Sequence, residues 1–353
     1  MKEKYFVQNI LKYYQKHKRN LPWRNIQDPY KIWISEIILQ QTQVKQGLDY
    51  YLRFVEKFPD VKTLANANED DVLKVWQGLG YYSRARNLHF AAKQIVSNFN
   101  GRFPNKYEDI LSLKGVGEYT ASAIASFAYN LPYAVLDGNV YRVLSRYFGI
   151  DIPIDSSEGK RYFSTLAKKI LDKKNPSEYN QAIMEFGATF CKPAQPDCNN
   201  CLLNRYCSAY LENKVNLLPI KSKKIIKNNR HLNYLVFLID NKYTLIHKRN
   251  NNDIWKGLYE FYLVESNKTF SKNKIITLLK EKDISFQSIS DYPVMKHILT
   301  HQNLSIKFYV IQNVSFNGIH QLEKPMNKIL LSEIHQYPFP IVIQNFIKEN
   351  FNY

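Results

Sequence analysis

The stretch LSLKGVGEYTASAIASFAYNLPYAVLDGNVYRVLSRYF, Leu111 to Phe148, decides the fold of the N-terminal part of the chain. Gly115-Val116-Gly117 predicts a tight turn between the end of one helix and a second helix over Tyr119–Tyr129. Free backbone N–H groups at the start of that second helix, beside Gly115 and Gly117, form a small anion site. The pattern therefore predicts a helical hairpin that binds a phosphate-like group.

A carboxylate follows the hairpin at the start of a third helix. Asp137-Gly138-Asn139 opens a predicted helix over Val140–Phe148, which Gly149 ends. Taken alone, Asp137 is most simply an N-cap that accepts hydrogen bonds from the first turn. Its place about twenty residues beyond the anion site also makes it a candidate functional residue.

A second carboxyl group lies in an apolar helix predicted from Tyr30 to Gln43. Glu36 is flanked there by bulky apolar side chains. Burial among them would favour the neutral form of the carboxyl, which suits a general acid. The alternative is a glutamate at the edge of the stripe that reaches solvent. Gln41 and Thr42 follow near the helix end, where uncharged polar groups can hydrogen-bond a base that has lost its partner.

Aromatic and basic residues follow the glycines of Gly78-Leu79-Gly80. Tyr81 and Arg84 suit a loop that inserts a ring between bases and binds phosphates. The alternative for Tyr81 is an ordinary packed aromatic side chain. This loop lies between two predicted helical stretches, over 61–80 and 87–98.

All four cysteines of the chain lie in one short loop. Cys191, Cys198, Cys201 and Cys207 are separated by six, two and five residues. Four thiolates so close together can hold Zn²⁺ or a [4Fe–4S] cluster. Zinc ribbons usually supply two separated C-x₂-C pairs and this loop has one, so the spacing favours the cluster. The crowding indicates a metal site in a reducing compartment rather than disulfides.

Composition limits the partners of the chain. A length of 353 residues predicts two domains, and a net charge of +18 indicates a polyanionic partner. A lysine-rich genome would raise the charge as well. The sequence shows no secretory segment and no apolar run long enough to cross a bilayer. We expect a cytoplasmic bacterial protein, a monomer, with no membrane partner.

The residue pattern changes along the chain. It predicts a mostly helical domain over 1–210, with continuous helix between Gly149 and Phe190, then a basic linker over 211–230. A second domain, of α+β class, is predicted over 231–353. Its predicted strands cover 232–240, 242–249, 258–264 and 305–311, and its predicted helix covers 275–282.

Six motifs, in this order, resemble the MutY family of adenine DNA glycosylases: LPWR (21–24), DPYKIWISEIILQQTQV (28–44), GLGYYSRARNL (78–88), LKGVGEYTA (113–121), LDGNVYRVL (136–144) and the cysteine loop (191–207). The resemblance runs nearly end to end. It implies a mostly α helix-hairpin-helix glycosylase core with an iron–sulfur loop, followed by an α+β Nudix-like domain. It also implies a [4Fe–4S] cluster at the four cysteines and a monovalent cation at the hairpin carbonyls.

The resemblance implies a substrate and a chemistry. The substrate is double-stranded DNA with adenine opposite 8-oxoguanine or guanine. Glu36 protonates the flipped adenine and ionised Asp137 stabilises the sugar cation, while Tyr119 and Asn139 orient them. Arg24 contacts the flipped nucleotide, and Tyr81 and Gln41 wedge the base stack. The helix start at Asp137 predicts a lowered pKa for that carboxyl.

Two departures from related motifs matter for function. In the similar endonuclease III enzymes a lysine of the hairpin attacks the sugar, whereas this chain has Tyr119, which implies a monofunctional glycosylase. The family's lesion-sensing Phe-Ser-His motif reads Leu299-Thr300-His301 here. Thr300 keeps the hydroxyl, so Thr300 and His301 are the candidate 8-oxoguanine contacts. No REUxEE-like metal-binding helix follows Phe261, so pyrophosphohydrolase activity is not expected.

Two rival functions stay open at this point. One is a bifunctional endonuclease III-like pyrimidine-damage glycosylase and lyase. The other is a non-catalytic iron–sulfur DNA-binding redox sensor, which explains the charge and the cysteines. The sensor gives no reason for Glu36, Asp137 and Tyr119 to occur together.

Overall fold

The computed structural model describes residues 1–222, 226–315, 322 and 324–351. The chain forms two compact units: Met1–Asn66 with Asn87–Lys223, and Ala67–Arg86 with Lys224–Tyr353. This division departs from the predicted boundaries at residues 67–86, which were assigned to the first domain. They pack with the C-terminal residues because side chains such as Asp70 and Gln77 hydrogen-bond there.

The secondary structure consists of helices in the first unit and a sheet with helices in the second. The helices are α1 (Lys2–His17), α2 (Pro29–Leu39), α3 (Val44–Lys57), α4 (Val61–Asn66), α5 (Glu69–Trp76), α6 (Ser83–Asn98), α7 (Tyr107–Leu111), α8 (Glu118–Tyr129), α9 (Gly138–Phe148), α10 (Ser157–Ile170), α11 (Pro176–Thr189), α12 (Ser208–Leu211), α13 (Lys272–Glu281) and α14 (Ile341–Asn350). The strands are β1 (Asn228–Ile239), β2 (Tyr243–Lys248), β3 (Tyr259–Glu260), β4 (Tyr262–Ser266), β5 (Ser288–Asp291), β6 (Met295–Ile298), β7 (Gln302–Gln312) and β8 (Asn327–Leu330). Within the described part of the chain, no helix has both the length and the apolar character of a membrane span.

Helix α2 begins and ends through local backbone chemistry. The Asp28 carboxylate accepts hydrogen bonds from the N–H groups of Tyr30 and Lys31, and Pro29 occupies the first helical position. The helix ends at Leu39, earlier than the predicted Gln43. Gln41 adopts a left-handed conformation with φ of 57°, which a continuing helix cannot contain.

The helical hairpin joins α7 to α8 as predicted. Gly115 has a φ of 79°, and a Cβ added there would lie 2.7 Å from the Asn87 Cβ. Glycine is therefore required both for the backbone conformation and for the close approach of the side chain. Helix α8 buries its small residues against α2, which brings the two helices close together.

Three predicted elements are interrupted in the structure. The stretch predicted as one helix over 61–80 forms α4 and α5, and Asn68 is the N-cap of α5. The predicted continuous helix after Gly149 is two helices, α10 and α11, and Pro176 occupies the first position of α11. The predicted strand over 258–264 is interrupted at Phe261.

The second unit is a sheet covered by helices on both faces, so the prediction of α+β class is confirmed. Its strand order is β3-β2-β1-β7-β5, with β1 and β7 parallel at the centre. Alternate residues of β1 face opposite cores because side chains of a strand alternate in direction. Tyr234 packs in the core that includes Phe346 of α14, whereas Phe237 packs in the core that includes Leu279 of α13.

Candidate active site

Glu36 lies buried in α2, with 6% of its surface exposed. The Tyr119 hydroxyl donates a hydrogen bond of 2.6 Å to Glu36 Oε2. Burial, with a contribution from the negative charge of Asp137, raises the pKa of Glu36 from 4.5 to about 7, although the Tyr119 hydrogen bond and Arg24 oppose the shift. The alternative of a solvent-exposed glutamate at the stripe edge is wrong, because apolar neighbours enclose the side chain.

Asp137 is the N-cap of α9. Its Oδ1 accepts from the Val140 N–H at 2.7 Å and its Oδ2 accepts from the Asn139 side-chain amide at 2.6 Å. Burial raises the pKa of Asp137 above its ordinary value, whereas these hydrogen bonds lower it. The prediction of a lowered pKa at the helix start is therefore wrong, because desolvation outweighs the donors. Asp137 thus has two described donors, the Val140 N–H and the Asn139 amide, whereas Glu36 has the Tyr119 hydroxyl, and each donor favours the ionised form of the carboxyl that it contacts.

One cleft of about 590 Å³ is lined by most of the residues that the sequence predicts to be catalytic or to bind the flipped nucleotide. Its lining includes Arg24, Glu36, Gln41, Thr42, Tyr119, Asp137 and Asn139. These residues come from α2, α8, α9 and the segments that precede or follow these helices. A pocket of this size accommodates a group such as a nucleobase with its sugar.

A buried ion-pair network at the edge of this cleft escaped the sequence analysis. Glu185 of α11 is fully buried and accepts two hydrogen bonds of 2.7 Å from the Arg19 guanidinium and one of 2.5 Å from Arg24. Burial raises the pKa of Glu185, but the hydrogen bonds from Arg19 and Arg24 overcome it and lower the pKa to about 2. The network fixes Arg24 at the cleft. The sequence pattern that indicates such a site is a charged residue within the apolar stripe of a helix, here Glu185, as at Glu36.

The hairpin presents an accessible helix N-terminus. Gly117 is the N-cap of α8, it is exposed, and a Cβ added there would meet no atom within 4 Å. Gly115 is exposed beside it. The first N–H groups of α8 have no partner in the helix itself, so this end can accept an anion.

The four cysteines line one small pocket of the first unit and form no disulfide. Burial raises the pKa of the Cys201 thiol to about 12 and also raises that of Cys207. Arg146 lies 3.5 Å from Cys191 Sγ, where its charge would offset that of bound thiolates. Within the described ranges, no three His, Cys, Asp or Glu side chains form a set for a metal ion.

The second unit contains the remaining predicted residues. The hydroxyls of Tyr81 and Thr300 share a hydrogen bond of 2.5 Å, and Tyr81 is 48% exposed, so the alternative of a packed Tyr81 is wrong. The Arg84 guanidinium lies over the rings of Trp76 and Tyr81 and donates to the Gly80 carbonyl. Burial lowers the pKa of Arg84 to about 10. Arg84 therefore stabilises the loop that carries Tyr81.

Similarity to known proteins identifies the family. The pattern of the HhH-GPD superfamily of base excision DNA repair proteins matches residues 34–169, and that of the NUDIX domain matches residues 233–349. An adenine DNA glycosylase of Buchnera aphidicola subsp. Baizongia pistaciae is 38% identical over 322 residues, which cover 88% of this chain and 87% of that protein. The chain belongs to the adenine DNA glycosylase family.

Other adenine DNA glycosylases and a solved fold agree with this membership. The enzyme of Mus musculus is 42% identical over 214 residues, which cover 58% of this chain and 42% of the mouse protein. The structure of a thermostable thymine-DNA glycosylase matches with a TM-score of 0.56 and 30% identity, over 60% of this chain and 97% of the other. The protein is thus a DNA glycosylase of base excision repair, with a helix-hairpin-helix core and a C-terminal Nudix domain.

Proposed function

We propose that this adenine DNA glycosylase family member removes adenine paired with 8-oxoguanine or guanine in double-stranded DNA. The observation that carries the proposal is the buried Glu36, with a pKa of about 7, in the same cleft as Asp137. Two carboxyls that differ in their hydrogen-bond donors can hold different protonation states at one pH. Similarity to adenine DNA glycosylases along most of the chain supports the choice of base.

Glu36 acts first, as the general acid. Its proton goes to N7 of the flipped adenine, and the bond between adenine N9 and the sugar C1′ breaks with its electron pair moving to the base. The adenine leaves as a neutral molecule, and Glu36 becomes an anion. The Tyr119 hydroxyl, 2.6 Å from Glu36 Oε2, then stabilises that anion and holds it in position.

Asp137 acts on the sugar. Its negative charge stabilises the oxocarbenium-like cation at C1′, directly or as a transient ester. The Asn139 amide, 2.6 Å from Oδ2, fixes the orientation of this carboxylate. A water molecule then adds to C1′ and gives its proton to Glu36, which restores the acid and leaves an abasic site.

Strand cleavage is not part of this reaction. A lyase of the endonuclease III type needs an amine that forms a Schiff base with the sugar, and a tyrosine at position 119 has none. Borohydride should therefore trap little covalent enzyme–DNA adduct. Efficient trapping would favour the bifunctional alternative.

DNA binding has several proposed contributors. The net charge of +18 attracts the duplex, and Gly115 and Gly117 bind a phosphate at the start of α8. Gln41 and Tyr81 insert between stacked bases while the adenine flips out of the duplex. Residues 231–353 form the recognition domain, in which Thr300 and His301 contact 8-oxoguanine. The enzyme would act on chromosomal DNA in the cytoplasm, as a monomer.

We further propose that the four cysteines hold a [4Fe–4S] cluster. The cysteines share one pocket, and the Arg146 cation, 3.5 Å from Cys191 Sγ, would offset the charge of four thiolates. When bound, the cluster would stabilise the loop of 191–207. The monovalent cation at the hairpin stays a prediction.

Single-turnover excision tests the proposal. The substrates are duplexes with adenine opposite 8-oxoguanine or guanine. We expect Glu36→Gln to bind both and to leave the glycosidic bond intact, whereas Glu3→Gln, which removes an exposed acid, should react like the wild type. Substantial turnover by Glu36→Gln would remove Glu36 from the acid role. No abasic product with the wild type would favour the sensor.

The recognition residues need a separate test. Thr300→Val removes a hydroxyl at nearly constant shape and should weaken the preference for 8-oxoguanine over guanine. An unchanged preference would exclude Thr300 as a reader. Truncation near residue 225 is less specific, because α5 packs with the C-terminal residues and would lose its partners.

A further inference from the structure

We propose that Asp70, Lys248 and Tyr259, named here the Asp70 clamp, are positioning residues that hold Tyr81 at the angle needed for insertion into DNA. The proposal rests on the proposed function, because it concerns the step in which Tyr81 inserts between stacked bases of the DNA. All residues of the argument lie in the second unit.

The clamp uses both oxygens of one carboxylate. Asp70 Oδ1 accepts from Lys248 Nζ at 2.6 Å, and Asp70 Oδ2 accepts from the Tyr259 hydroxyl at 2.9 Å. Lys248 and Tyr259 are directly paired neighbours on β2 and β3. Asp70 lies in the first turn of α5, so the strand pair fixes the start of this helix.

The other end of α5 is fixed by side chains that donate to backbone carbonyls. Lys74 Nζ donates to the Tyr337 carbonyl at 3.2 Å, and Gln77 Nε2 donates to the Phe339 carbonyl at 2.9 Å. Burial lowers the pKa of Lys74, which indicates that its ammonium is partly shielded from water. Helix α5 is therefore held against the C-terminal residues along its length.

Tyr81 follows α5 through a short, constrained loop. Gly78 and Gly80 have φ of 95° and 80°, and Tyr81 itself has φ of 48°. A tyrosine in the left-handed region stores strain that its surroundings must balance. The Trp76 indole donates to the Gly80 carbonyl at 3.1 Å and the Tyr82 hydroxyl accepts from the Gly78 N–H at 3.1 Å. A shift of α5 would therefore move Tyr81.

The partner of Tyr81 is fixed independently. Thr300 lies in the turn between β6 and β7, where the Leu299 N–H donates to the Gln302 carbonyl at 2.8 Å. The hydrogen bond between the hydroxyls of Tyr81 and Thr300 forms only if α5 and this turn keep their relative position. The Asp70 clamp contains the ion pair that fixes the start of α5, so loss of the clamp should change the position of Tyr81.

A two-part experiment tests the clamp in the full-length protein. The duplex carries 2-aminopurine beside the 8-oxoguanine, so that unstacking by Tyr81 raises its fluorescence. We expect Asp70→Asn to reduce this rise and to slow single-turnover excision about fivefold, the order of one partly exposed ion pair. The reversed pair, Asp70→Lys with Lys248→Asp, should recover part of both signals. Glu3→Gln, which breaks an exposed ion pair of the first unit, should change neither.

The decisive comparison is made in a Tyr81→Ala background. If the clamp acts through Tyr81, Asp70→Asn has no further effect there, as double-mutant logic requires. If Asp70→Asn slows excision equally in the wild-type and Tyr81→Ala backgrounds, the proposal is overturned. An unchanged rise in 2-aminopurine fluorescence in the Asp70→Asn single variant would also overturn it. Tyr259→Phe, which loses only one hydroxyl, gives the same comparison if Asp70→Asn folds poorly. Failure of the wild type to excise adenine would instead overturn the proposed function.

Discussion

The protonation of Glu36 makes a quantitative prediction about pH. If Glu36 must carry a proton to start the reaction, and its pKa is about 7, the single-turnover rate follows the protonated fraction. About half of the molecules are active at pH 7, about one-tenth at pH 8 and about one-hundredth at pH 9. The rate should therefore fall tenfold per unit above pH 8.

Substitution of Tyr119 should move this profile in a known direction. The Tyr119 hydrogen bond favours the charged form of Glu36, while burial favours the neutral form. Tyr119→Phe removes this hydrogen bond and leaves the burial and the charges of Asp137 and Arg24 in place, so the pKa of Glu36 rises further. A hydrogen bond to a charged group contributes about 1.5 kcal/mol or more, which corresponds to a shift on the order of one pH unit.

The assay is single-turnover excision of adenine opposite guanine between pH 5 and 9. Tyr129→Phe is the matched control, because Tyr129 lies on the same helix and donates to the Phe103 carbonyl, away from both carboxyls. The control should keep the wild-type midpoint. A Tyr119→Phe profile that moves to lower pH, or does not move, would refute the reasoning about the hydrogen bond.

Three further predictions concern stability. Glu36→Gln should stabilise the fold by up to about 3 kcal/mol at pH 8 and have little effect at pH 4, as measured by thermal unfolding. The reason is that a glutamate with a raised pKa in the folded state destabilises the fold as pH rises from 4.5 to about 7. Equal effects of the substitution at both pH values would argue against a shifted pKa. Glu185→Gln should destabilise the fold by about 3 kcal/mol at neutral pH, because Arg19 and Arg24 lose a buried partner. Urea unfolding measures this change, and a decrease in the free energy of unfolding of less than about 1 kcal/mol would contradict the role of the ion-pair network. Gly115→Ala should cost about 1–3 kcal/mol, since φ is 79° and Asn87 blocks the Cβ, and unchanged stability would show that the hairpin adapts.

Much of the fold could be predicted because local signals agree with the packing. The hairpin glycines, the N-cap at Asp137 and the apolar run of β1 can each be recognised in a short stretch of sequence. Element ends were harder to predict. Helix α2 ends early where Gln41 adopts a left-handed conformation, and α11 starts at Pro176. Hydrophobic periodicity alone does not indicate either boundary.

The candidate site was predictable where one residue broke the pattern of its own helix. Glu36 in an apolar stripe is such a case, and Glu185 carries the same signal but was overlooked. What the sequence could not show is distance between elements. The pairing of Glu185 with Arg19 and Arg24, the desolvation of Asp137 and the packing of α5 with the C-terminal strands all join residues far apart in the chain.

The proton on Glu36 can be measured directly. Infrared difference titration of the wild type against Glu36→Gln isolates the carboxylic acid band of this side chain from those of the other carboxyls. The account predicts that the band is present at pH 6 and disappears with a midpoint near pH 7. A midpoint near 4.5, the ordinary value for glutamate, would contradict the claim that Glu36 enters the reaction as an acid.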